Sequence, residues 1–179
     1  MLASKMAAAT SKEDEDCYAR QLRKHHSEVM EDRDELARIA RLCKTDKRHV
    51  GFFIDAVDKN KFGIPTTERQ PKCLSGLKRI KHKVTGVQFF KDDNVLLFQN
   101  LPDVPTGGNL TLTIIGYLFD QGYFKEATDV YINLDGASDN ICYHVLYGMA
   151  HLLKCAAEAG WLLQRIHVLR FKVVIVVTS

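Results

Sequence analysis

A chain of 179 residues that is 46% hydrophobic is long enough for one domain with a sizeable core. Its net charge of +3 permits a polyanionic partner without demanding one. Five cysteines (Cys17, Cys43, Cys73, Cys142, Cys155), with no Cys-x-x-Cys pair and no His at finger spacing, argue against a disulfide framework or a zinc module and read as reduced intracellular thiols.

Residues 1–11 are small and polar without periodicity, which predicts disorder. No long apolar run precedes Glu13-Asp14-Glu15-Asp16, so no secretory signal is expected, and no run reaches the roughly 18–20 apolar residues of a membrane helix. The expectation is a protein of the nucleus or cytoplasm, neither secreted nor in a membrane. Residues 12–46 are charge-dense, without Pro or Gly through Cys43, and Tyr18, Leu22, Val29, Met30, Leu36, Ile39, Ala40 and Cys43 recur mostly three, four or seven apart. That spacing predicts an amphipathic helix, continuous or once broken. Arg20, Arg23, Lys24, His25 and His26 would suit a helix that tracks nucleic acid or a partner, although charge runs are more often solvated faces.

Residues 47–179 read as one α/β domain. Val50-Gly-Phe-Phe-Ile-Asp55 is a nearly continuous apolar run ending in a carboxylate, as in a strand buried on both faces. A polar turn closed by Pro65 and a loop of about 15 residues follow, a length that points to function or mobility. Lys72, Lys78, Arg79, Lys81 and Lys83 make this the densest basic patch of the chain, a candidate phosphate-contacting surface or a solvated loop. Val84–Phe90 and Val95–Asn100 flank Lys91-Asp-Asp-Asn94, which is hairpin chemistry.

Asn109 is a candidate N-cap for a helix that stops near Gly122. Thr128–Asp135 predicts the next strand, and residues 140–159 the next helix, with Asp139 and Asn140 as its caps and Gly160 as its stop. On that helix His144, Tyr147, His151, Lys154 and Glu158 share a polar face, while Val145, Leu146, Met149, Leu152 and Leu153 take the other. His144 and His151, seven apart on a polar stripe, are better read as solvated than as metal ligands, and Cys142 and Cys155 as packing residues. One final strand is expected over Arg165–Lys172, followed by Val-Val-Ile-Val-Val, an apolar terminus whose unpaired edge would invite aggregation.

The expected order is helix, three strands, helix, strand, helix, strand, which predicts a mixed sheet: an antiparallel triplet, then parallel strands joined by helices. If the fourth strand lies beside the first, Asp55 and Asp135 become neighbours at strand ends, facing the crevice where open α/β sheets bind ligands. Two adjacent carboxylates repel, a cost that a shared divalent cation removes. Oxygen-only ligands favour Mg²⁺ or Mn²⁺, and such a site suits two-metal phosphoryl transfer. Strand-end Asp residues also commonly do no more than terminate the strand and cap the next turn.

The element order and the paired aspartates resemble the ribonuclease-H-like fold of transposases and integrases, whose active site is a trio of acidic residues. More narrowly, Phe53-Ile-Asp-Ala-Val-Asp-Lys-Asn-Lys-Phe-Gly-Ile-Pro65 and Leu134-Asp-Gly-Ala-Ser-Asp-Asn140 resemble the motif blocks of a domain found in eukaryotic transposon-derived proteins. The likeness covers residues 32–172. It implies Asp55 and Asp135 as catalytic metal ligands, Asp58 as a supporting or replacing ligand, Lys61 as a phosphate or substrate contact, and DNA as the partner. It implies no stable small-molecule cofactor and leaves an oligomeric assembly open.

The chain departs from that family after its last strand. A Gly-His-Thr-His turn and acidic helix residues are expected there and would supply the third carboxylate, yet no Asp or Glu occurs from Ala159 to Ser179. The expectation is a truncated domain, inactive as it stands, that holds two of three ligands. A rival reading is a non-catalytic remnant that binds DNA or protein through Lys72–Lys83 and the first helix. A different α/β enzyme or nucleotide-binding domain lacks a Gly-rich phosphate loop or nucleophile elbow to support it.

Overall fold

A computed structural model describes residues 12–57, 63–64, 80–81, 83–92, 94–100, 107–134, 142–170 and 173–178. The chain divides into two compact units, Met1–Ile39 and Ala40–Ser179. Helix α1 spans Lys12–Thr45, so the division falls within it. It is unbroken, as the absence of Pro and Gly allows. Glu13, Asp14 and Glu15 sit in its first turn and Lys44 in its last, where each sign complements the helix dipole. Glu35 and Arg38 form a two-point exposed ion pair, both contacts at 2.7 Å. Tyr18, Leu22, Val29 and Leu36 are half-buried, while Arg20, Arg23, Lys24, His25 and His26 are exposed, the pattern of a solvated basic face.

The second unit is built on a six-stranded mixed sheet. Its strands are β1 (His49–Val57), β4 (Lys83–Phe89), β5 (Val95–Asn100), β6 (Asp129–Leu134), β7 (Arg165–Arg170) and β8 (Val173–Thr178), in the order β5-β4-β1-β6-β7-β8. β1 pairs antiparallel with β4 and parallel with β6, and β6 pairs parallel with β7. Helix α2 (Gly108–Asp120) leads from β5 towards β6, and α3 (Tyr143–Glu158) from β6 towards β7. The expected antiparallel triplet and helical crossovers to parallel strands are therefore present, around a central β1.

Several local expectations differ. The polar turn closed by Pro65 and the basic stretch after it each supply one strand of a two-stranded ribbon, β2 (Gly63–Ile64) with β3 (Ile80–Lys81), too short to leave a period-2 signal. The single last strand is two: β7 and β8 form an antiparallel pair, so the apolar terminus has a partner on one side. Asn109 is not the N-cap of α2. Gly107 holds that place with φ 98°, outside the range a side chain adopts readily. The cap of α3 is Cys142 in extended backbone, without a side-chain cap hydrogen bond, rather than Asp139 or Asn140, which lie outside the described residues.

Both helices end as their glycines predict. After α2, Gly122 N–H donates to Phe119 O and Tyr123 N–H to Leu118 O, and φ of 78° at Gly122 is the left-handed turn this closure requires. Gly160 and Trp161 repeat the arrangement after α3, and Trp161 stacks on Phe119 with ring centres 4.3 Å apart.

Alternation sorts the sheet residues onto two faces. Phe52 and Ile54 of β1, Val87 and Phe89 of β4, Val130, Ile132 and Leu134 of β6, and Ile166 and Val168 of β7 form the core with Ile114, Ile115 and Leu118 of α2 and Val145, Met149 and Leu153 of α3. Phe52 touches both Phe89 and Phe124 at ring-centre distances of 5.6 and 5.8 Å. Complete burial of one such side chain contributes about 2–3 kcal/mol. Tyr143 and Tyr147 lie on the outer face of α3, 92% and 79% exposed, together with exposed His144, His151 and Lys154. On the sheet's other face, Gly51 lies so close to Phe90 and to Cys43 of the last turn of α1 that any Cβ would stand 2.9 Å from the Cys43 sulfur.

Candidate functional site

The parallel register of β1 and β6 fixes where the two motif blocks begin. His49 pairs with Asp129 at one end of the ladder, and Ile54 with Leu134 at the other. Asp55 follows Ile54, is exposed, and alternates onto the face of His49, Gly51 and Phe53. Its partner on β4 is Gly86, so no side chain stands beside it on that strand. Asp135 comes directly after Leu134 and lies outside the described residues, as do Asp58, Lys61, Lys72, Lys78 and Arg79. The backbones of Lys81 and Lys83 belong to β3 and β4, and their side chains are likewise outside the described set.

Among the described residues, no group of three or more His, Cys, Asp or Glu side chains is placed to hold a metal ion. His144 and His151 are both exposed on α3, and His151 Nε2 lies 3.6 Å from the Cys155 sulfur one turn on.

A different cluster sits where the parallel strands begin. His49, Asp129 and Arg165 are the first residues of β1, β6 and β7 and stand in register. The Asp129 carboxylate is buried and accepts from four side-chain donors: Arg165 Nε at 2.6 Å and its terminal nitrogen at 3.0 Å, His167 Nε2 at 2.9 Å, and the Thr128 hydroxyl at 2.8 Å. Because an ionised carboxylate only accepts, His167 carries its proton on Nε2. Burial pushes the Asp129 pKa up, but the hydrogen bonds of Arg165, His167 and Thr128 outweigh it and bring the value down to about 2. The Tyr131 ring stacks on His167 at 4.5 Å, and its hydroxyl stands 3.4 Å from His49 Nδ1.

This cluster clamps three strands together and leaves no carboxylate oxygen of Asp129 without a donor. No local motif contains it, because its members lie 80 and 36 residues apart. The available signal was each strand opening on a polar or charged residue whose sign complements the next.

No protein-family model matches the chain, and no curated protein matches its sequence. Among the described residues, no helix is long and apolar enough to cross a membrane.

Proposed function

We propose that the second unit is a transposase- or integrase-like domain of the ribonuclease-H-like superfamily, derived from a transposable element, in which Asp55 and Asp135 are the catalytic metal ligands. The observation that carries the reading is the strand order β5-β4-β1-β6-β7, an antiparallel triplet continued by parallel strands through α2 and α3. Its parallel β1–β6 pair makes the blocks Phe53–Pro65 and Leu134–Asn140 leave the sheet from adjacent strands. Asp55 is exposed at that end beside Gly86, which leaves its carboxylate accessible.

The donor set is oxygen only, Asp55 and Asp135 with Asp58 in support, and fits Mg²⁺ or Mn²⁺ rather than a softer ion. Such an ion, when bound, supplies charge stabilisation for phosphoryl transfer on DNA. The chain's own residues bind and orient the substrate: Lys61 meets a phosphate, and Lys72, Lys78, Arg79, Lys81 and Lys83 neutralise the flanking backbone, which fixes register without reading sequence.

The test is a Mn²⁺ titration followed by water-proton relaxation. The chain is expected to bind Mn²⁺, and Asp55→Asn and Asp135→Asn each to lose it. Unchanged affinity in both variants overturns the metal site. The basic run Lys72–Lys83 also suits a second reading, a transposon remnant that binds nucleic acid or protein without catalysis. DNA affinity that falls with salt and ignores Mg²⁺ supports it.

A further inference from the structure

A cleft of about 530 Å³ opens where β1 begins, at the other end of the strand from Asp55. That volume is within the range of small-molecule sites. Three lysines line it, each from a different turn: Lys47 before β1, Lys91 between β4 and β5, and Lys125 after α2. Among the described residues none of the three makes an ion pair. Two carboxylates share the lining, Asp92 and Glu126, and Asp92 accepts the Asn94 side-chain amide at 2.7 Å. The balance is cationic.

The cleft also has an aromatic wall. Tyr123 stacks on Phe89 with ring centres 5.0 Å apart and planes within 12°, and both rings line the cleft. Tyr123 is 42% exposed although its ring stacks on Phe89, so it keeps surface that a ligand can reach. Its backbone is fixed by the left-handed turn at Gly122 and the bond from its N–H to Leu118 O at 3.1 Å. A rigid, half-covered ring beside three ammonium groups matches the two chemistries of a nucleotide, a flat base and a phosphate.

We propose that this cleft binds a nucleotide unit, with the base stacked on Tyr123 and the phosphate held by Lys47, Lys91 and Lys125. The same chemistry is offered by a free mononucleotide and by one nucleotide of a single strand. The lining residue of β1 nearest Asp55 is Gly51, four residue steps away at ~3.3 Å each, which puts the cleft edge about 13 Å from Asp55, too far to share an ion with it. The site therefore does not rest on the carboxylate reading.

Isothermal titration of the full chain with AMP, with an oligothymidylate and with inorganic phosphate tests the proposal. At least one of the two nucleotide probes is expected to bind more tightly than inorganic phosphate; the tighter of the two identifies the source. Tyr123→Leu, which keeps an apolar group against Phe89, is expected to weaken that probe about tenfold and to leave inorganic phosphate unchanged. The double variant Lys47→Glu, Lys125→Glu is expected to weaken all three. If neither nucleotide probe binds better than inorganic phosphate, or if Tyr123→Leu leaves the nucleotide affinity intact, the proposal is overturned.

Discussion

Asp129 and Arg165 open two neighbouring parallel strands and meet in a two-point ion pair, with contacts of 2.6 and 3.0 Å, although 36 residues separate them. The carboxylate is buried and the guanidinium half exposed, so the two ends of the pair differ in what they lose when it breaks.

Acid should weaken the second unit through this pair. The Asp129 pKa is depressed from 3.8 to about 2, so its stabilisation is complete above pH 4 and lost as the pH falls towards 2. The shift corresponds to stability on the order of 2 kcal/mol. Urea unfolding between pH 6 and pH 2 should show this loss in the parent chain and a shallower one in Asp129→Asn. Equal slopes would remove Asp129 from the acid response. At neutral pH, Asp129→Ala should cost about 3 kcal/mol, because it strips Arg165, His167 and Thr128 of their common acceptor.

Two glycines should respond to alanine for different reasons. A Cβ at Gly51 would collide with Phe90 and Cys43, so Gly51→Ala should destabilise by about 1–3 kcal/mol through overpacking. At Gly122 nothing lies within 4 Å of an added Cβ, and the cost is that of φ 78° alone, about 1 kcal/mol. Gly122→Asn should recover part of that loss, since Asn tolerates the left-handed region, whereas no side chain should rescue Gly51. Thermal unfolding of the three variants checks the contrast.

Met149 is fully buried on α3 within the core formed with the sheet and α2. Met149→Ala should cost about 2–5 kcal/mol, and a loss under 1 kcal/mol would show that the core collapses into the vacated space. Tyr147→Ala, two residues away and 79% exposed, should leave unfolding nearly unchanged.

Thiol labelling should separate the cysteines. Cys43 is buried and its pKa is pushed up to about 11 by that burial, so little thiolate forms near neutral pH. Cys17 is exposed. Maleimide at pH 7.5 should modify Cys17 rapidly and Cys43 only after denaturant is added; matched rates would contradict the packing around Gly51.

The elements with strong periodicity were legible from residues alone. Val145, Met149 and Leu153 are spaced by four, and they are buried as α3's inner face requires. The hairpin of β4 and β5 was announced by Lys91-Asp-Asp-Asn94, and the helix ends by Gly122 and Gly160. What failed depended on one or two residues. A two-residue strand such as Gly63–Ile64 has no period, and Gly107 capped α2 through a backbone angle while Asn109 offered the conventional side chain. The Asp129 cluster was illegible for a separate reason, since only the register of β1, β6 and β7 brings its members together. Asp55 was placed at a strand end by its apolar run, but β1 runs on through Ala56 and Val57, because β4 continues to pair with it, so Asp55 stands two residues inside the strand.

The position of β1 governs how this unit can fold. The first strand to be synthesised lies between β4 and β6, and the register pairs His49 with Asp129, so one of its edges stays open until a strand 80 residues downstream arrives. Closing that separation comes before the reward of the pairing, which places the domain among slow folders of high contact order. During synthesis the apolar run Val50–Ile54 therefore waits with a bare backbone edge, and its protection depends on how soon the β4–β5 hairpin covers the opposite side.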